Sequence, residues 1–389
     1  MTRKICAWPI WGHLSVAIAL SAVWWIQTAG IFAQTPQTEK KAELKLDTGE
    51  EIFRAACIAC HGHDGKGTPQ TTAGFERPAT FPDFTDCSGT TPEPNVDWKS
   101  IIHLGGTARG FSEIMPSFTE ALTAEQINKV AQYLRGFCTD RAWPRGELNL
   151  PRAMVTEKAF PEDEAVVTSA VSTKGPRAIT NAFIYERRFG PVNQLEVAVP
   201  FGFLRQPNGS WGGGVGDMTL GLKRVMAHSV RTGSIFSLSG EVNLPTGDKA
   251  RGLGTGVTIF EGFAAYGQIL PKESFLQFQG GVEVPTHRDD ANKAVYARTA
   301  LGKSFRQDKG FGRTWSPMVE VIADRELATG EKTNWDLVPQ VQVTLSRRQH
   351  VRASFGYRVP VNNTVSRAGQ LMFYLLWDWF DGGLREGWR

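Results

Sequence analysis

Cysteine is scarce, with five in 389 residues. That excludes a small scaffold held together by several disulfides. No run of about 18 or more apolar residues occurs, so a helical membrane protein is not expected. Charge of neither sign dominates. A net formal charge of +4 leaves too small a footprint for nucleic acid, and no such partner is expected. What the chain does have is 41 glycines, 23 phenylalanines and 12 tryptophans, which favours a β-rich, aromatic-rich fold. Its length leaves room for two or three domains.

Residues 1–33 read as a signal peptide. Arg3 and Lys4 make a basic start, Leu14 to Ile26 is apolar but short, and Ala33 is a small residue before a cut. A retained anchor helix is the alternative, but it would need a longer apolar stretch. Export removes Cys6 and places the remaining four cysteines where disulfides form. Residues 34–46 read as a short N-terminal linker.

Two regimes follow. From 47 to 143 the pattern is helical, with a high density of cysteine and histidine. From 164 to 389 it alternates with period two and carries most of the glycine. Between them, 144–163 holds three prolines, mixed charge and no period, and reads as a linker. Acidic residues outnumber basic ones before residue 150 and the reverse holds after it, so the two parts have charges that could attract.

Cys57-Ile58-Ala59-Cys60-His61 is a C-x-x-C-H run. Two thiols three positions apart can both add to the vinyl groups of one haem, and the next residue then lies under the iron as proximal ligand. A thioredoxin-like redox pair is the rival, but no βαβ pattern surrounds it. Asp47 or Thr48 can cap a helix running to Cys57, with Glu50 and Glu51 in its first turn. Thr123-Ala124-Glu125-Gln126 is a capping box opening a helix whose Ile127, Val130, Ala131 and Leu134 share a face. For the sixth iron position Met115 is the best candidate, since a thioether is a soft, neutral ligand suited to electron transfer. His63 and His103 compete with it. His63 lies too near the attachment site, and His103 is expected to face solvent or a propionate.

With these motifs in place, residues 47–138 resemble a class I c-type cytochrome. The order is a first helix with Gly49 and Phe53, then CIACH, a Gly-rich turn at Gly105-Gly106, Met115-Pro116 and a last helix ending in Tyr133-Leu134-Arg135. The resemblance implies an all-α domain with one covalently attached haem c, His61 and Met115 as axial ligands, and the last helix packed on the first. Cys87 and Cys138 remain. In an oxidising compartment they are expected to form a disulfide, the alternative being two inert thiols.

Beyond residue 164 one strand face is apolar and the other charged or small. Leu195, Val197, Val199, Phe201 and Phe203 alternate with Glu196, Ala198, Pro200 and Gly202; Leu220 and Leu222 alternate with Thr219, Gly221 and Lys223. A soluble sandwich also alternates, but it would not need so many charges in mid-strand. An antiparallel up-and-down barrel of about 12 strands does, with lipid outside and a wet lumen inside. Glu196, Asp217, Glu241, Glu283, Arg352 and Arg358 are the lumen candidates. Short connections near Gly190, Leu270 and Arg347-Arg348 alternate with longer ones after Val199-Pro200, Leu244-Pro245, Val284-Pro285 and Val359-Pro360. Outer-membrane barrels keep short turns in the periplasm, which would put the cytochrome there too.

This half resembles the outer-membrane barrel family named for the MetA pathway of phenol degradation. The resemblance rests on Phe189-Gly190, Gln194-Leu195-Glu196-Val197 and the stretch from Gly214 to Lys223. A closing strand is expected from Leu371 to Phe380. The leading functional expectation is a mono-haem electron carrier rather than a catalyst, anchored in the outer membrane, with periplasmic redox proteins and membrane lipid as partners. The alternative is a pore with the haem domain as a redox-sensitive plug. An enzyme would need an open iron site.

Overall fold

The structure, a computed structural model, describes residues 45–174, 177–287, 289 and 291–379. The signal peptide, nearly all of the N-terminal linker and the last ten residues therefore lie outside the described residues. No described helix is long and apolar enough to cross a membrane.

The first part is helical. Five α-helices run in order: α1 (Gly49–Ala56), α2 (Ile58–His61), α3 (Cys87–Thr90), α4 (Asn95–Leu104) and α5 (Ala124–Arg135). Thr48 caps α1 and Thr123 caps α5, each through a full capping box closed by Glu51 or Gln126. Ile52 and Phe53 of α1 pack on Ile127, Val130, Ala131 and Leu134 of α5. Gly49 makes the crossing possible: a Cβ there would sit 2.3 Å from the Lys129 carbonyl oxygen and 2.8 Å from Tyr133 Cβ. The Phe53 ring lies tilted against Tyr133 and Phe137, with ring centroids 5.5 and 5.4 Å away.

The second part is a closed antiparallel barrel of twelve long strands. In chain order the strands are β1 (Glu164–Ser172), β2 (Ala178–Phe189), β3 (Asn193–Arg205), β4 (Trp211–Val215), β5 (Met218–Ser229), β6 (Ser234–Leu244) and β7 (Ile259–Leu270). They continue with β8 (Ser274–Pro285), β9 (Ala294–Lys303), β10 (Phe305–Arg306), β11 (Thr314–Glu326), β12 (Asn334–Thr344), β13 (Val351–Pro360) and β14 (Gln370–Asp378). Each long strand pairs with the next, and β14 returns to β1 with Glu164 opposite Asp378. The two short strands are annexes: β4 extends β3 and β10 extends β11. The longer connection expected after Val199-Pro200 thus starts later and is largely a hairpin: β3 runs on to Arg205 and β4 folds back on it. The closing strand stops at Asp378, and Phe380 lies outside the described residues.

The two faces separate as the alternation predicts. Leu222, Phe260, Leu301 and Phe355 are each more than half exposed on the outside. Glu196 and Lys223 are buried on the inside, while Glu241, Glu283, Arg352 and Arg358 are half-buried there. Asp217 does not line the wall at mid-strand. It precedes β5, and its carboxylate accepts from the Gly247 and Thr255 amides at 2.9 and 2.7 Å, clamping two long connections together.

The segment read as a linker is not a tether. Leu148, Arg152, Thr156, Lys158, Phe160 and Glu162 are all nearly inaccessible to solvent. The chain leaves the helical part, enters the lumen and crosses it as an irregular strap before starting β1. Gln277 of β8 donates to the Pro151 carbonyl (2.8 Å) and Tyr374 of β14 to that of Arg152 (2.7 Å). Gln194 of β3 accepts from the Glu162 amide (2.7 Å) and Gln279 of β8 from that of Glu157 (3.1 Å). Arg152 bridges Glu164 and Glu186 at 2.8 and 3.0 Å, and Lys158 pairs with Glu162. The partners of this strap are therefore inward polar residues of the wall other than the lumen candidates named from sequence: Gln194, Gln277, Gln279, Glu186 and Tyr374. A buried backbone without regular structure needs such partners.

Candidate functional site

The helical part supplies most of the wall of a cavity of about 260 Å³. Cys57, Cys60 and His61 line one side, and Met115 lines it from a loop more than fifty residues farther along the chain. Helix α1 delivers Cys57 at its C-cap, and α2 carries Cys60 and His61. The C-terminus of α1 bonds Cys57 N–H to the Phe53 carbonyl (2.9 Å), and the chain turns at once into α2. The His61 ring sits between Phe81 and Phe84, with centroids 5.1 and 4.9 Å away.

Gly105-Gly106 positions the methionine. Gly105 has φ +85°, a backbone that favours glycine, and the Gly106 amide donates to the Met115 carbonyl (3.0 Å). A Cβ on Gly106 would lie 2.2 Å from the Ser112 carbonyl oxygen. The next residues are held by the Phe118 amide donating to the Ile102 carbonyl (3.1 Å).

The residues fit a haem. Cys57 and Cys60 are free thiols. His61 Nδ1 is buried with no hydrogen-bond partner. Burial draws the imidazole down to about 4, so it is held neutral and able to ligate. Burial, helped by the neighbouring Cys60, pushes the Cys57 thiol up to about 11. Of the competing histidines, His63 is exposed. His103 lies off the cavity and packs on Phe311 of the barrel (5.0 Å), facing neither bulk solvent alone nor the cavity. Cys87 and Cys138 are joined by a disulfide, Cα atoms 5.2 Å apart, which pins α3 to the end of α5.

The helical part rests on one rim of the barrel, the rim of the short turns and of both barrel ends. Arg188 donates to the Ser88 carbonyl (2.8 Å), and His228 Nε2 lies 3.1 Å from that of Ala142. Arg109 donates to the Phe311 carbonyl (2.6 Å), and Arg348 lies over the Phe111 ring (4.1 Å). His350 approaches Glu93 at 3.4 Å. Sequence reasoning did not find that Arg348 and His350, from the β12–β13 turn, line the same cavity as Cys57 and Met115. It registered only that the turn is short. Arg109, also on the cavity wall, is paired with Asp97 at 2.6 Å.

Residues 44–134 match the family model described as cytochrome C oxidase, cbb3-type, subunit III. This part of the chain is thus a cytochrome c domain, which implies haem c. No curated protein matches the chain. Among solved structures, an outer membrane channel from Pseudomonas putida F1 is 14% identical, covering 59% of this chain and 100% of that one, with a TM-score of 0.42. The NanC porin is 6% identical over 55% of this chain and 99% of its own (TM-score 0.40), and the KdgM porin 6% identical over 56% and 99% (TM-score 0.37).

Proposed function

We propose that this chain is a mono-haem c-type cytochrome that carries electrons at the periplasmic face of an outer membrane, its haem domain fixed to the mouth of its own barrel. The observation that carries this reading is the meeting of Cys57, Cys60, His61 and Met115 on one cavity. Cys57 and Cys60 would hold the haem by thioethers, with His61 and Met115 as its axial ligands. Bound there, the haem supplies a one-electron Fe(II)/Fe(III) couple. The chain's own task is to keep that site rigid. Phe81 and Phe84 hold the imidazole, and Gly105-Gly106 holds the methionine loop. Electron transfer of this kind asks for no acid or base.

The membrane assignment is supported by the outside of the barrel. Exposed apolar residues recur on every long strand, a surface far larger than soluble proteins leave uncovered. Membrane lipid is thus a partner, and soluble periplasmic redox proteins are the expected electron donors or acceptors. The short turns and both barrel ends share the cytochrome's rim, the side that outer-membrane barrels keep in the periplasm. Membership of the MetA-pathway barrel family and the export signal at 1–33 belong to the same proposal. The second reading, a pore plugged by the haem domain, has less support, because the strap of residues 148–163 already occupies the lumen.

The test is a visible spectrum of the full chain extracted in detergent. Haem that stays with the denatured polypeptide is expected, with low-spin bands. Met115→Ala should abolish the methionine-to-iron charge-transfer band of the oxidised protein. A polypeptide without bound haem would overturn the reading; a surviving band would overturn the Met115 assignment alone.

A further inference from the structure

Resting on the haem reading above, we infer that the barrel completes the haem site: Arg348 and His350 of the β12–β13 turn, together with Arg109, form the pocket for the haem's propionate carboxylates. Most of the cavity wall is apolar or aromatic, as a porphyrin face requires. Three basic side chains, with the carboxylates of Glu93 and Asp97 beside two of them, make up its charged quarter. Arg109 is 4% exposed, Arg348 3% and His350 3%, and all three line the cavity. They gather where the cytochrome domain meets the rim. Arg348 Nη2 lies 3.4 Å from the Gly110 carbonyl, next to Arg109, and Arg109 itself reaches across to the Phe311 carbonyl.

Haem is apolar over its faces and carries two carboxylates at one edge. Burying those carboxylates is costly unless cations or hydrogen-bond donors meet them. Guanidinium groups match carboxylates best, through paired N–H donors in one plane. The cavity offers such groups only in this quarter among its lining residues, which places the carboxylate edge towards the barrel. Neighbours fix their positions: Asp97 and Phe111, which line the same cavity, hold Arg109 at 2.6 Å and support Arg348 at 4.1 Å, and Asp378 of β14 hydrogen-bonds to His350 Nδ1. Asp378 also pairs with Arg352 at 3.1 Å, so the pocket is anchored into the barrel wall. The reduction potential is then set in part by residues of the barrel, and the two parts act as one redox unit.

Arg348 is the residue to test, as a positioning and charge-balancing group rather than an iron ligand. Full-length wild type, Arg348→Gln, Arg348→Lys and, as a distant control, Arg251→Gln are purified in detergent. Haem content, midpoint potential and the propionate bending band in the resonance Raman spectrum are measured. Removing a positive charge beside the haem edge favours ferric iron. Arg348→Gln should keep its haem while its ferric-to-ferrous ratio at the wild-type midpoint rises about tenfold, about 59 mV for one electron. Its propionate band should move. Arg348→Lys keeps the charge but not the planar fork, so its potential should stay near wild type while the band still moves. If Arg348→Gln is not recovered folded, the Lys variant decides by its band alone. Haem-loaded variants with an unmoved potential and band overturn this inference and leave the haem reading intact. Wild type without haem overturns both.

Discussion

Glu320 in β11 and Thr156 in the lumen strap stand 164 positions apart, yet the Glu320 carboxylate accepts from both the Thr156 amide (2.7 Å) and its hydroxyl (2.6 Å). The same carboxylate accepts from the amides of Met154 and Val155 at 2.8 and 3.2 Å. Three successive N–H groups aimed at one buried carboxylate form an anion-binding concavity, and here the wall of the barrel supplies the anion. The strap is thereby fixed to β11 as well as to β14, the last strand.

Glu320→Ala should loosen that strap. It leaves the amides of Met154, Val155 and Thr156 buried without their acceptor, at a cost of roughly 2–4 kcal/mol. The heat-modifiable gel shift should occur at lower temperature, and ion conductance in planar bilayers should rise. Glu320→Gln, which keeps one acceptor, should lie between. Unchanged conductance and heat stability in the alanine variant would show that the strap does not depend on this contact.

Leu220 is 40% exposed on the outer face, whereas its neighbour Thr219 points inward and pairs with Asn243. Arg at Leu220 places a charge in lipid, costing about 2–4 kcal/mol near the midplane. Arg at Thr219 meets a polar interior and should cost less. Folded protein in outer-membrane extracts should be lost for Leu220→Arg and largely kept for Thr219→Arg. The reverse order would contradict the facing of β5, and wild type in a detergent-free soluble extract would contradict the membrane assignment.

Gly49→Ala should push α1 away from α5, because the added methyl would meet the Lys129 carbonyl at 2.3 Å. Overpacking of this kind costs about 1–3 kcal/mol. Thermal unfolding followed through the haem absorbance should begin several degrees lower. A melting curve identical to wild type would mean that the helices have slack at their crossing.

The Cys87–Cys138 bridge closes a loop with a sequence separation of 51. Removing it with Cys87→Ser and Cys138→Ser together should lower stability by about 4 kcal/mol on the loop-entropy model. Mass spectrometry of denatured, unreduced wild type should find neither Cys87 nor Cys138 alkylated. Two alkylated cysteines would remove the bridge from the description.

Much of the site was readable as sequence because its logic is local. C-x-x-C-H places three groups within five residues, the capping boxes at Thr48 and Thr123 lie within one helical turn, and strand alternation has period two. The barrel's facing followed from the same periodicity at Leu195, Leu220 and Leu222. Asp217 is the exception among the lumen candidates: it continues the alternating pattern by one position, but its carboxylate is used to clamp loops.

Sequence by itself thus determined the two kinds of domain, the haem-type motif, the helix caps and the two faces of the barrel. Only tertiary structure decided that residues 148–163 fill the lumen and that Arg348 and His350 reach the cavity of Cys57 and Met115. Helices and paired strands satisfy their backbone groups in a repeating way, and the repeat leaves a period that can be read. The strap satisfies its own with side chains of β3, β8, β11 and β14, and Arg348 meets Gly110 across 238 positions. Partners so distant leave no local pattern, because what selects them is closure of the barrel around the segment.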